Sequence, residues 1–173
     1  VAEDIILRAE GLTKEFKGFV AVDDVNLSVQ RGSIHALIGP NGAGKTTFFN
    51  LLSKFLTPSS GRIVYNGRDI TTMKPASIAR LGLVRSFQIS AVFAQLRAIE
   101  NVRVALQRKL GTSFHFWRSE RSLDVLNDEA MALLDAVGLA EDSQQLAGEL
   151  PYGRKRALEI ATTLALDPEM MLL

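Results

Sequence analysis

The amino-acid sequence predicts an α/β fold, and three observations carry that prediction. The first third of the chain is β-rich, and a glycine-rich stretch then joins an apolar run to a helix-periodic one. A block of helices follows, before the α/β pattern resumes in a last helix and an apolar strand. Residues 5–10 and 20–29 read as strands, punctuated by Lys17-Gly18 and Gln30-Arg31-Gly32. Residues 33–38 form a short apolar run interrupted only by His35, which predicts a strand buried on both faces. Residues 46–56 place Phe48, Leu51, Leu52 and Phe55 at helical spacing, with Thr57-Pro58 as the stop. Residues 63–65 and 68–70 flank Asn66-Gly67, a hairpin signal because Asn-Gly tolerates positive φ at both central turn positions. Pro75 opens a short helix that Gly82 ends.

From about residue 89 to 149 the texture is helical. Residues 96–109 make one candidate helix. Leu126, Ala130, Leu133, Leu134 and Val137 give another its apolar stripe, closed by Gly138. Between them, residues 111–118 read as an aromatic and basic loop holding Phe114, His115, Phe116 and Trp117. The aromatics are expected to pin that loop; a docking surface is the alternative. A helix over 153–166 leads through Asp167-Pro168 to an apolar strand over 170–173.

Composition narrows the function classes. The chain has 173 residues, 47% hydrophobic and 23% charged, enough apolar material for a core and too much for a disordered chain. No apolar run reaches the roughly 18 residues that span a bilayer. Asp4, Arg8 and Glu10 break any signal-peptide pattern, and a first residue of Val leads us to expect a trimmed chain or a fragment. Cysteine is absent, which removes thiolate nucleophiles, disulfides and Cys-type zinc sites. The 20 basic and 19 acidic side chains nearly cancel, so bulk charge does not favour nucleic acid. Arg154-Lys155-Arg156 as a nucleic-acid patch lacks interleaved aromatics. His35 is expected to be structural, and His115 has no metal spacing around it.

The chemistry concentrates in Gly39, Pro40, Asn41, Gly42, Ala43, Gly44, Lys45 and Thr46, which fit G-x-x-x-x-G-K-[ST] between a predicted strand and a predicted helix. Glycines let successive N–H groups turn toward a phosphate, and the following helix adds its unpaired donors and positive end. Lys45 is placed to meet the β- and γ-phosphates, and the Thr46 hydroxyl to ligate Mg²⁺. ATP with Mg²⁺ is the expected cofactor.

Further stretches resemble ATP-binding-cassette (ABC) ATPases, in order, over the whole chain. Gly11-Leu12-Thr13-Lys14-Glu15-Phe16, followed by Ala21-Val22-Asp23-Asp24-Val25, is similar to the family's N-terminal sheet. The resemblance implies that Phe16 stacks on adenine, with Val22 and Thr47 also in the nucleotide site. Phe16 as a plain core aromatic is the alternative. Val84-Arg85-Ser86-Phe87-Gln88 resembles the Q-loop, which implies that Gln88 meets Mg²⁺ and the attacking water as a catalytic residue beside Lys45. Leu150-Pro151-Tyr152-Gly153-Arg154 stands where the family's LSGGQ signature occurs. Pro151, Tyr152, Gly153 and Arg154 are therefore expected on the nucleotide of a partner subunit. Pro151 replaces the usual Ser, Tyr152 a Gly and Arg154 a Gln, leaving backbone donors near Gly153 to act.

The resemblance implies a P-loop NTPase core with an N-terminal antiparallel β subdomain and an inserted α-helical subdomain. The expected division is 1–88 with 150–173 for the nucleotide core and 89–149 for the helical part. Residues 82–88, Ile99-Glu100-Asn101-Val102 and the Leu-Pro-Tyr-Gly signature are most similar to ATPase subunits of branched-chain amino acid importers. Sugar, polar amino acid and urea importers stay open. Expected partners are a second ABC ATPase subunit, transmembrane permease subunits and, indirectly, a periplasmic solute-binding protein, at the cytoplasmic face of the inner membrane. The family's Mg²⁺-holding Asp, water-polarising Glu and phosphate-contacting His would follow residue 173, so this stretch is expected to bind ATP without hydrolysing it. Rival readings are an ABC ATPase of DNA repair or translation, which needs coiled coils or tandem cassettes. A small-molecule kinase would need an arginine-rich lid. A fragment that only binds nucleotide is the third.

Overall fold

The computed structural model describes residues 4–86, 92–107 and 126–173. Its contacts divide the chain into two units, residues 1–83 with Leu172 and residues 84–171 with Leu173.

The first unit is built on a hairpin. Strands β1 (Ile5–Phe16) and β2 (Phe19–Gln30) pair antiparallel, closing with Phe16 opposite Phe19. Strand β3 (Ser60–Tyr65) lies on the other side of β1, and β4 (Arg68–Asp69) completes the order β2-β1-β3-β4. Asn66 (φ 49°) and Gly67 (φ 72°) form the tight turn the sequence predicts. Alternation along β1 and β3 sends Leu7, Ala9, Ile63 and Tyr65 into the core, an irregularity at Gly11 (φ 57°) shifts the register so that Leu12 also faces it, and Ile70 and Ile78 join them. Across the exposed face, the Arg62 guanidinium holds the Glu10 carboxylate at 2.5 Å and keeps its pKa below the usual carboxylate range. Helix α1 (Lys45–Leu52) buries Phe48, Leu51 and Leu52, and α2 (Pro75–Arg80) starts on its proline and buries Ile78.

Two expectations fail here, for physical reasons. Residues 33–38 are not a buried strand: they lie outside every strand, with Ile34 98% and Ile38 91% exposed. Their composition suits a central strand, but neither described sheet sets a neighbour beside them, and a strand without a ladder partner cannot be buried on both faces. Helix α1 also stops at Leu52 and not at residue 56. The Ser53 hydroxyl donates back to the Phe49 carbonyl at 2.7 Å, and Lys54 turns to φ 62°. Phe55 is consequently left 50% exposed.

The second unit is helical. Helices α3 (Ala98–Leu106), α4 (Asn127–Ala136) and α5 (Tyr152–Leu164) pack around Val102, Leu106, Leu134, Leu139, Leu158 and Ala161. Leu133 and Val137 complete the α4 stripe from its partly buried edge. A 3₁₀ turn, Ala147–Glu149, precedes α5. Strand β5 (Leu83–Arg85) pairs with β6 (Met170–Leu172) in a two-stranded sheet. Among the described residues no helix is long and apolar enough to cross a membrane.

Candidate nucleotide-binding site

The phosphate loop runs directly into α1. Gly44 caps that helix at φ 79°, and a Cβ added there would lie 2.2 Å from the Ala21 carbonyl oxygen. Only glycine lets the start of α1 sit on β2 so closely. This contact is what the glycine pattern alone does not reveal: Gly44 is needed against Ala21 and Val22 as well as for the turn. Val22 is buried beneath it, and the loop is thereby fixed beside the β1–β2 hairpin that ends in Phe16.

The loop itself is open. Residues 39–43 are exposed, Thr46 is exposed on the first turn of α1, and Thr47 is half-buried behind it. The Lys45 ammonium donates to the carbonyls of Gly39 at 2.5 Å and Pro40 at 2.6 Å, so it lies across the mouth of the loop. No acidic residue occupies the first turn of α1, and its positive end is unneutralised. An ammonium, a hydroxyl and unshared helix N–H groups at one exposed turn make a donor set suited to a polyphosphate with a divalent cation. Phe16 is 41% exposed, with the Lys14 ammonium 5.1 Å from its ring centre. A ring in that position offers π surface to a planar base.

Residues 150–154 belong to the second unit and are anchored within it. Leu150 is buried in the helical core, while Pro151 caps α5 and its carbonyl accepts the Lys155 N–H at 2.9 Å. Tyr152 is 74% exposed, and Gly153 has open space where a Cβ would stand. The Arg154 guanidinium is paired with the Asp142 carboxylate, an anchor that the sequence pattern does not signal. Next on the helix, Arg156 pairs with the buried Glu159 at 2.5 Å. Gln88 and the aromatic loop with Phe114, His115, Phe116 and Trp117 lie outside the described residues. Among the described residues no group of three or more His, Cys, Asp and Glu side chains is placed to hold a metal ion.

Residues 22–173 match the family described as ABC transporter. The chain is 41% identical over 176 residues to the high-affinity branched-chain amino acid transport ATP-binding protein BraF of Pseudomonas aeruginosa, covering 97% of this chain and 68% of that protein. To the corresponding protein LivG of Escherichia coli K12 it is 38% identical over 178 residues, with the same coverage. The fold matches an ATP-binding cassette of an ABC transporter solved in its ADP conformation, with TM-score 0.81 and 32% identity, over 96% of this chain and 67% of that one. A P-loop NTPase core of the ABC type, with its antiparallel sheet and its helical part, is therefore the fold. The chain belongs to the ABC transporter ATP-binding family.

Proposed function

We propose that this chain is the ATP-binding subunit of an ABC importer that couples ATP binding and hydrolysis to uptake of branched-chain amino acids through separate membrane subunits. The phosphate loop carries the reading: Gly44 seated on Ala21, with Lys45 and Thr46 presented at an open turn beside Phe16. The names of the relatives BraF and LivG supply the solute class. In this reading Lys45 and the loop N–H groups of residues 39–47 hold the phosphates, and Phe16 and Val22 bound the base. Thr46 and Gln88 hold Mg²⁺, which supplies charge neutralisation on the phosphates when bound.

Two subunits close head to tail, each offering its Pro151, Tyr152, Gly153 and Arg154 to the other's nucleotide. Residues 1–88 and 150–173 act as the nucleotide core and 89–149 as the helical subdomain that meets the permease. The subunit is then peripheral, at the cytoplasmic face of the inner membrane, with a periplasmic binding protein acting through the permease. In this reading these residues bind Mg-ATP, and Asp167 and Glu169, which precede β6, are not the groups that activate water. A general base contributes about 10²–10⁴-fold, so adding a water-activating carboxylate to these residues should raise turnover by about that factor.

The test is phosphate release from the 173-residue chain beside a version extended through the further strands of its relatives. The extended version should hydrolyse ATP and, with its permease in vesicles, drive leucine uptake. Equal turnover by both would overturn the hydrolysis reading, and uptake of a sugar in place of leucine would overturn the solute class.

A further inference from the structure

Asn101, on the second turn of α3, is only 2% exposed, and its whole amide is spent on the loop that precedes its own helix. Its Oδ1 accepts the Phe93 N–H at 2.8 Å, and its Nδ2 donates to the carbonyls of Phe93 (3.1 Å), Leu96 (3.3 Å) and Arg97 (2.9 Å). The other edge of that loop is laced to the chain just before α5. The Ala147 N–H donates to Leu96 O and the Gly148 N–H to Ala94 O, both at 2.9 Å, and Arg97 bridges Leu146. The approach is close: a Cβ at Gly148 would stand 3.0 Å from the Ala94 oxygen. Gly148 then accepts the Lys155 ammonium at 2.7 Å, and Lys155 is the residue whose N–H makes the first turn of α5 on Pro151. One buried amide is thus connected, bond by bond, to the helix start that carries Pro151 to Arg154.

We propose that Asn101 is a positioning residue for the segment from Leu150 to Arg154, acting through Gly148 and Lys155. Its functional consequence rests on the reading that this segment meets the nucleotide of a second subunit. An amide that satisfies four backbone groups in a buried site has no cheap replacement, since each orphaned group costs its full desolvation. Losing it frees the 93–97 loop, then Gly148, then the cap of α5, while the phosphate loop, in the other unit, keeps its own contacts.

The experiment is amide hydrogen exchange on the full 173-residue chain, read at Gly148, at Lys155 and, as the internal reference in α1, at Phe48. Asn101→Ala should accelerate Gly148 and Lys155 about tenfold or more and leave Phe48 unchanged. Asn101→Asp keeps the acceptor for Phe93 but turns a carboxylate oxygen toward the carbonyls of Phe93, Leu96 and Arg97, and should accelerate Gly148 and Lys155 at least as much. Lys155→Met, a half-exposed change that cannot unfold the core, should accelerate the Lys155 amide and leave Phe48 alone, so the last link is tested even where Asn101→Ala does not fold. Acceleration confined to Gly148, or shared equally by Phe48, would overturn the proposal, as would an unmoved Lys155 amide in Lys155→Met. A second readout separates the two readings. ATP affinity by calorimetry should stay within about twofold in Asn101→Ala, while ATP-driven self-association by sedimentation should weaken about tenfold. Wild-type chain that never self-associates with ATP would sink the head-to-tail reading and leave the exchange result standing; self-association unchanged by Asn101→Ala would sink the positioning role in the composite site.

Discussion

The phosphate loop and the segment from Leu150 to Arg154 each lead directly into a helix, but they are held in opposite ways. The loop before α1 is exposed from residue 33 to residue 43, and its fixed point is a glycine pressed onto the Ala21 carbonyl. The segment before α5 is fastened by side chains: Leu150 in the core, Arg154 on Asp142, and Lys155 on Gly148. A loop that must wrap a polyphosphate needs free N–H groups and few Cβ atoms, so its rigidity has to come from one close backbone contact. A segment that presents a helix end to something arriving from outside gains from being fixed beforehand, and side chains can do that.

The sharpest way to break this contrast is to add one methyl group to each side. Gly44→Ala forces a Cβ against the Ala21 oxygen at positive φ, and should destabilise the first unit by about 2–5 kcal/mol and abolish ATP binding. Gly153→Ala meets nothing, lies inside α5, and should stabilise by about 0.5–1 kcal/mol. Denaturant melts of both variants check the pair; equal losses would mean that the two helix starts are held alike.

Charge removal gives the next largest difference. Lys45→Ala deletes the ammonium at the loop mouth and should cost about 1.5–3 kcal/mol of ATP binding. Arg154→Ala deletes a cation already paired with Asp142 and should leave the affinity of the single chain unchanged. Calorimetric titration measures both. Phe16→Ala comes third, at about 1–3 kcal/mol for ATP and almost nothing for inorganic triphosphate, which has no base to stack. Equal losses for the two ligands would make Phe16 a structural residue.

How far the sequence was legible follows the same division. Local rules placed the Asn66-Gly67 hairpin, the Pro75 helix and the α4 stripe, because turn chemistry and helical period act within a few residues. The glycines and lysine of the phosphate loop were legible because each answers a geometric demand of the ligand. Residues 33–38 were misread because an apolar run states a preference for burial and not the presence of a neighbouring strand. The end of α1 was misread because Phe55 keeps the helical spacing while Ser53 and Lys54 terminate the backbone ladder. The Asp142, Gly148 and Asn101 anchors were illegible because they join residues that are distant along the chain and belong to no periodic pattern.

The smallest expected effect lies at the far ends of the same two helices, which both turn at a non-glycine residue with positive φ: Lys54 at 62° after α1 and Asp167 at 53° after α5. Asp167 is exposed, and aspartate tolerates this conformation, so Asp167→Gly should be nearly silent. Lys54 is 7% exposed, and burial pushes its pKa below the ordinary 10.5, with only partial compensation from the charge on Asp69. The sign follows from proton counting. Below the folded pKa both states are protonated and Lys54 contributes no pH dependence. Between the folded pKa and 10.5 the unfolded chain binds a proton that the folded chain has released, so stability rises with pH across that window and levels off above it. Lys54→Met removes the titrating group and keeps the aliphatic packing, so the stability difference, variant minus wild type, should shrink as pH rises through the alkaline range. Paired urea melts from neutral pH upward isolate this contribution from the other lysines and tyrosines, which cancel in the difference. A difference that stays flat would place the Lys54 amine in water, and the end of α1 would then be no more buried than the end of α5.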